Sequence, residues 1–210
     1  MNRPRILLAD DHPMIFEGIR AVLAPQFEIV GTVGDGLALV EAALRLKPDL
    51  IVADVTMPLL NGIDAAIQIK KRLPGIKLVF FTMHSSSATV RAAFEAGGAG
   101  YVLKSRAGGE LLDVVQSVLN SPIDVTPMPS TQHAELVQDD PKRTATVRLS
   151  TREREILQLV AEGRASKEIA YSMNISVRTV GFHREKIKKK LGLRTTAELT
   201  RYAFELGLVQ

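Results

Sequence analysis

Short apolar runs and longer stretches of helical period take turns along the first 120 residues. The runs, rich in β-branched residues, predict strands at Arg5–Ala9, Glu28–Val33, Leu50–Asp54, Lys77–Thr82 and Gly100–Leu103. Between them, leucines, isoleucines and alanines recur at three- and four-residue spacings over about 13–24, 36–46, 61–73, 86–96 and 107–120, which predicts five helices. Strands that are continuously apolar, rather than alternating, belong in a parallel sheet covered on both faces. Five βα units of this kind give an α/β doubly wound five-stranded parallel sheet.

At Ser121 the pattern stops. Residues 122–147 carry four prolines and several polar side chains with no sustained period, which predicts a flexible linker. A new helical pattern then opens on Ser150 and Glu153, spaced as a capping box, and a second such pair, Thr195 and Glu198, opens the last helix. Between these lie a short helix near 167–173, a tight connection through Met173, Asn174, Ile175 and Ser176, and a basic helix near 177–191 ended by Gly192. A short helix turned tightly into a longer basic one is a helix-turn-helix, whose second helix enters the DNA major groove. The expected organisation is a first domain over 1–121, a linker over 122–147 and a small all-α four-helix helix-turn-helix domain over 148–210.

Charge sharpens this division. Residues 1–147 carry a net charge of −2 and residues 148–210 a net charge of +6, so the basic surface belongs to the C-terminal domain and points to a polyanionic partner. With no cysteine, disulfides and thiolate metal sites are excluded, and the four histidines (His12, His84, His133 and His183) are too scattered for a zinc cluster. The opening residues place acidic groups where a signal peptide needs apolar ones, and no run approaches the ~18 apolar residues of a membrane-spanning helix. A cytoplasmic location without a membrane partner is the expectation.

Ligands of a doubly wound sheet bind beyond the carboxyl ends of its strands, where strand order reverses. Asp10 and Asp11 follow the first strand, Asp54 ends the third, Thr82 ends the fourth and Lys104 follows the fifth. One strand-end aspartate is more often a helix cap than a reactive group, but five polar residues in register at one edge form a pocket. Its three carboxylates would repel unless a divalent cation neutralised them, and Mg²⁺ suits an all-oxygen cluster. A lysine and a hydroxyl opposite supply donors for phosphoryl oxygens, leaving Asp54 as a nucleophile for phosphoryl transfer to carboxylate.

The segments LLADDHP, VADVTMPLLNG, FFTMH and GYVLKS, in this order, resemble those of the receiver domains of two-component response regulators over roughly residues 4–120. The resemblance implies that Asp54 accepts a phosphoryl group from a sensor histidine kinase. It also implies that Asp10, Asp11 and Asp54 hold Mg²⁺ with the backbone carbonyl of Thr56. Lys104 would pair with the phosphoryl group, and Thr82 and Tyr101 would form the switch. Thr56 is expected to face the pocket and tune phosphoryl lifetime, while His84, two residues after Thr82, could border the phosphoryl site but is expected in an exposed loop. One rival reading is a Mg²⁺-dependent aspartyl phosphohydrolase or phosphotransferase acting on small substrates. Such an enzyme would need a second, general-acid aspartate two positions after Asp54, where Thr56 stands. Another rival keeps both folds and makes regulation independent of phosphorylation.

Residues 149–199 resemble the four-helix output domain of the NarL/FixJ (LuxR-type) regulators, through LSTRERE, the Gly163 turn, KEIA, the IS-x-R-TV start of the basic helix, His183 and KLG. Ile169, Ala170, Ile175, Val180, Ile187 and Leu191 recur at helical spacing and are expected in the core. The candidates for contact with double-stranded DNA are Ser176, Arg178, Thr179, His183, Arg184, Lys186, Lys188 and Lys190, mostly to phosphates. Relatives commonly carry lysine where Gly181 stands and often a basic or polar residue near Glu185; Gly181 either permits a close backbone approach to DNA or marks weakened binding, and Glu185 either accepts from a cytosine amino group or repels phosphate. The last helix, with Leu199, Ala203, Leu206 and Tyr202, is implied by the resemblance as the surface of a homodimer, the alternative being that it closes the domain's own core.

Overall fold

The structure is a computed structural model that describes residues 3–121 and 149–209, without the side chains of 106–108. The expected linker, 122–147, lies outside the described residues, as does His133. The chain divides into two compact units.

In the first unit the strands are β1 (Arg5–Ala9), β2 (Glu28–Val33), β3 (Leu50–Ala53), β4 (Lys77–Thr82) and β5 (Gly100–Leu103). The helices are α1 (Pro13–Leu23), α2 (Gly36–Leu46), α3 (Gly62–Arg72), α4 (Ser87–Glu95) and α5 (Ala107–Asn120), the last entered through a single 3-10 turn. All strand pairings are parallel, in the order β2-β1-β3-β4-β5. The order reverses between β1 and β3, where a doubly wound sheet opens a ligand crevice. Leu7, Ile51, Leu78 and Phe80 pack one face of the sheet against residues of α2, α3 and α4. Ile6, Leu8, Val52, Val79 and Val102 pack the other against α1 and α5. Burial on both faces explains the unbroken apolar strand sequences.

Strand β3 ends one residue earlier than expected, because Asp54 turns out of the ladder while its N–H still donates to the Ala9 carbonyl at 2.8 Å. The chain then loops tightly back into α3. The Gly62 N–H donates to the Val55 carbonyl at 2.7 Å, and a Cβ at Gly62 would lie 1.9 Å from the Asp54 carbonyl oxygen. Only glycine lets α3 start so close to β3. Asn61 caps α3 by accepting from the Asp64 N–H at 2.9 Å.

The second unit holds α6 (Thr151–Ala161), α7 (Ser166–Ser172), α8 (Val177–Leu191) and α9 (Thr196–Glu205). Both expected capping boxes are present, at Ser150 with Glu153 and at Thr195 with Glu198. Asn174, at φ 51°, turns the chain between α7 and α8, and Ser176 caps α8 through the Thr179 N–H at 3.0 Å. Ile169, Ala170, Val180 and Ile187 are buried as expected, whereas Ile175 and Leu191 are only half-buried at the margins. Among the described residues no helix is long and apolar enough to cross a membrane.

Candidate functional site

The crevice between β1 and β3 gathers the expected polar residues. Asp54, 2% exposed, is fixed from both sides: the Val55 N–H donates to Oδ1 at 2.6 Å and Lys104 Nζ donates to Oδ2 at 2.6 Å. The same ammonium lies 2.7 Å from Oδ2 of the buried Asp10. Asp10 Oδ1 accepts from the His12 N–H at 3.0 Å, and Asp11, half-buried at the mouth, pairs with His12 Nδ1 at 2.7 Å. Burial pushes the Asp10 carboxyl above its ordinary range, against the pull of Lys104. Burial alone would lower the Lys104 pKa, but Asp54 and Asp10 outweigh it and hold the ammonium above its usual range. One lysine thus serves two buried carboxylates, and the cluster keeps a surplus of negative charge that a cation would relieve. Asp10, Asp11 and His12 bring potential ligand atoms together. With Asp54 alongside, the carboxylate oxygens suit a hard divalent ion.

Behind the carboxylates, Thr82 is fully buried and Tyr101 is 2% exposed, its ring turned inward beside Phe80. The Tyr101 hydroxyl donates to the His84 carbonyl at 2.7 Å, the His84 N–H reaches Thr82 Oγ1 at 3.4 Å, and His84 Nε2 lies 2.6 Å from Thr56 Oγ1. Burial, with the Asp54 charge nearby, pushes the Tyr101 phenol upward. The expectation of His84 in an exposed loop is therefore corrected: it is half-buried and bonded to Thr56, Thr82 and Tyr101 together. Its spacing from Thr82 hints at this, but Thr56 lies in the loop after β3 and Tyr101 within β5, so the full set of partners cannot be read from spacing.

In the second unit, burial fixes which way α8 faces. Val180 and Ile187 point into the core with half-buried His183, Arg184 and Leu191, so Arg178, Phe182, Glu185 and Lys189 line the opposite, exposed side. Several of the expected DNA-contacting side chains are already engaged. Lys186 and Lys190 pair with the buried Glu153 at 3.2 and 2.7 Å, and Lys188 pairs with Glu185. Arg184 donates to Ser166 and Thr196 hydroxyls, each at 3.1 Å, and Ser176 and Thr179 bond each other at 2.8 Å. The His183 Nδ1 is buried without a hydrogen-bond partner among the described residues. Arg178 stands exposed. Two further exposed residues on this face, Phe182 and Lys189, escaped the sequence reading, and the phase of the buried stripe is the signal that finds them.

Comparison with known proteins agrees with both halves of this geometry. The profile of the response regulator receiver domain matches residues 6–116, and that of the luxR family of bacterial regulatory proteins matches residues 147–203. The transcriptional regulatory protein MctR of Rhizobium johnstonii is 34% identical over 207 residues, covering 98% of this chain and 95% of MctR. The chain belongs to the response regulators with a LuxR-type output domain. The response regulator protein VraR of Staphylococcus aureus is 33% identical to this regulator over 210 residues, covering 98% and 99% of the two chains. Among solved structures, the RcsB response regulator of Salmonella typhimurium aligns with a TM-score of 0.68 at 28% identity, over 98% of this regulator and 99% of RcsB. Salmonella RcsB bound to the rprA promoter with phosphomimetic BeF3⁻ aligns at 0.62, with 26% identity over 97% and 99%. The regulator is thus a signal-transducing transcription regulator rather than a classical enzyme, with a receiver domain and a LuxR-type DNA-binding domain.

For the last helix the core-closing alternative holds at two of the named positions. Leu199 and Ala203, expected on a dimer surface, are buried, and α9 packs on α6 to close the domain core. Phe204 and Leu206 are the apolar residues that α9 and its cap leave exposed.

Proposed function

We propose that this regulator works in the cytoplasm, that Asp54 is its phospho-acceptor, and that modification of Asp54 by a sensor histidine kinase governs binding to double-stranded DNA. The observation that carries this reading is the buried Asp54 carboxylate at the sheet's switch point, held 2.6 Å from the Lys104 ammonium. In the reaction, an Asp54 carboxylate oxygen attacks phosphorus as the bond to the donor imidazole breaks. The imidazole leaves with the electron pair and takes up a proton, and Lys104 offsets charge on the phosphoryl oxygens.

Asp10, Asp11, Asp54 and the backbone carbonyl of Thr56 would hold Mg²⁺, which draws phosphoryl oxygens toward the nucleophile when bound. The buried Thr82 hydroxyl supplies a donor for the transferred group, and a shift of Thr82 would pull on the His84 N–H that reaches it. His84 also carries the carbonyl that holds Tyr101, so the change passes to the β4–α4 segment and the switch residues Thr82 and Tyr101 move together. In this reading the receiver spans about 1–121, the linker 122–147 and the output domain 148–210, and the regulator forms a homodimer on DNA. A two-fold homodimer reads half-sites about one helical turn apart.

The test is intact mass after incubation of the full chain with phosphoramidate and Mg²⁺, followed by retention of genomic duplex fragments. One added phosphoryl group, lost in Asp54→Asn and in chelator, with stronger retention of selected fragments, is the expected result. Equal retention by phosphorylated and Asp54→Asn proteins would overturn the gating.

A further inference from the structure

We propose that Phe182, standing beside the bare Gly181 on the outward face of α8, is a sequence-reading residue that recognises thymine through its methyl group. The inference rests on the reading of α8 as the helix that enters the major groove. At about 100° per residue, a helix buried along Val180 and Ile187 directs Arg178, Phe182, Glu185 and Lys189 the opposite way. Phe182 lies between Arg178 and Lys189 on this face and is 66% exposed. Lys186 and Lys190 are tied to Glu153, and Lys188 neutralises Glu185, so the positive charge left on this face flanks the phenyl ring from both ends.

Cations at the two ends of such a face suit phosphates, and the residue between them reaches base edges. A phenyl ring offers no hydrogen bond, and the apolar group that the major groove displays is the thymine methyl. Covering the ring with methyl groups removes from water an apolar surface that the folded domain leaves exposed. Gly181 adds to this. A Cβ there would meet nothing within 4 Å, and its φ is not in the left-handed region, so neither packing nor backbone conformation calls for glycine. Helices disfavour glycine at such a position. Its use here is an open flank on the helix beside Phe182, where the groove wall can come close enough for the ring to meet the bases.

The experiment selects sites from a random-sequence duplex library with the full chain, then replaces each thymine of a selected site singly by deoxyuridine, which removes only the methyl. One or two replacements should weaken wild-type binding about fourfold each. Those replacements should leave Phe182→Ala binding unchanged, and Phe182→Ala should select sites with relaxed base choice at the same positions. The substitution lies at an exposed position, so its melting temperature should match wild type. Equal responses of wild type and Phe182→Ala to deoxyuridine would overturn the proposal while leaving DNA binding by α8 intact. No retention of library duplexes by the wild type would overturn both readings. Altered self-association of Phe182→Ala in light scattering, with an unaltered deoxyuridine response, would assign the ring to a protein contact and equally end the proposal.

Discussion

Each domain buries an ion cluster, and the two are built with opposite balance. In the receiver, Asp10 and Asp54 share the single Lys104, and burial drives the Asp10 carboxyl up. In the output domain Glu153, 1% exposed, is shared by Lys186 and Lys190 and accepts from the Ser150 N–H at 2.9 Å. Burial would raise the Glu153 pKa too, but Lys190, the Ser150 N–H and Lys186 outweigh it and hold the group at about 2. Where cations outnumber the carboxylate, the cluster is complete and fastens α6 to α8. Where carboxylates outnumber the cation, it is left in want of positive charge, a balance that suits a divalent cation.

The contrast breaks most readily at Lys104. Lys104→Ala should slow phosphoryl incorporation by about a hundredfold to a thousandfold, as loss of a donor to developing oxyanion charge does, measured with phosphoramidate under fixed Mg²⁺. Glu153→Ala should cost the output domain about 1–2 kcal/mol, since it removes the carboxylate that two partly exposed lysines share and one half of the Ser150 capping box. Hydrogen-exchange protection of α6–α9 reads that loss, with the receiver amides as an internal control. Because the Glu153 pKa falls on folding, its contribution is complete above about pH 4.5, the unfolded value, and fades as pH drops toward about 2. The gap between wild type and Glu153→Gln should close over that window, and a gap independent of pH would remove the ion cluster from the account.

Added Mg²⁺ should stabilise the receiver by about 2.7 kcal/mol at a hundredfold excess over its dissociation constant. Output-domain protection should not change, and Asp11→Asn should lose the effect. Equal stabilisation of both domains would erase the distinction. The smallest expected effect separates lysines of one helix. Lys189→Ala should lower the slope of log affinity against log salt by about 1, whereas Lys190→Ala, whose ammonium is held by Glu153, should leave that slope nearly as it was.

The receiver was legible in detail because its information is local. Continuous apolar strands mark their own bounds to within a residue, and the rule for strand ends brings Asp10, Asp54, Thr82 and Lys104 to one edge from the sequence alone. The output domain was legible as helices and caps but less so as a surface. Glu153 and Lys190 are 37 positions apart, and nothing in spacing says that they meet. Spacing therefore does not say which basic residues of α8 are paired within the domain, and the exposure of Phe182 and Lys189 needed the phase of the buried stripe. Leu199 and Ala203 show the same limit: an apolar face at helical spacing reads alike whether it meets its own domain or a second copy.

The start of α3 carries a consequence for genetics. A side chain at position 62 would collide with the Asp54 carbonyl oxygen itself, not with a flexible group that could move aside. Random mutagenesis screened for loss of signalling should therefore return missense alleles at codon 62 that behave like alleles of codon 54. Every amino-acid change there would score, alanine included, so position 62 would show the same intolerance as a residue with reactive chemistry while having none.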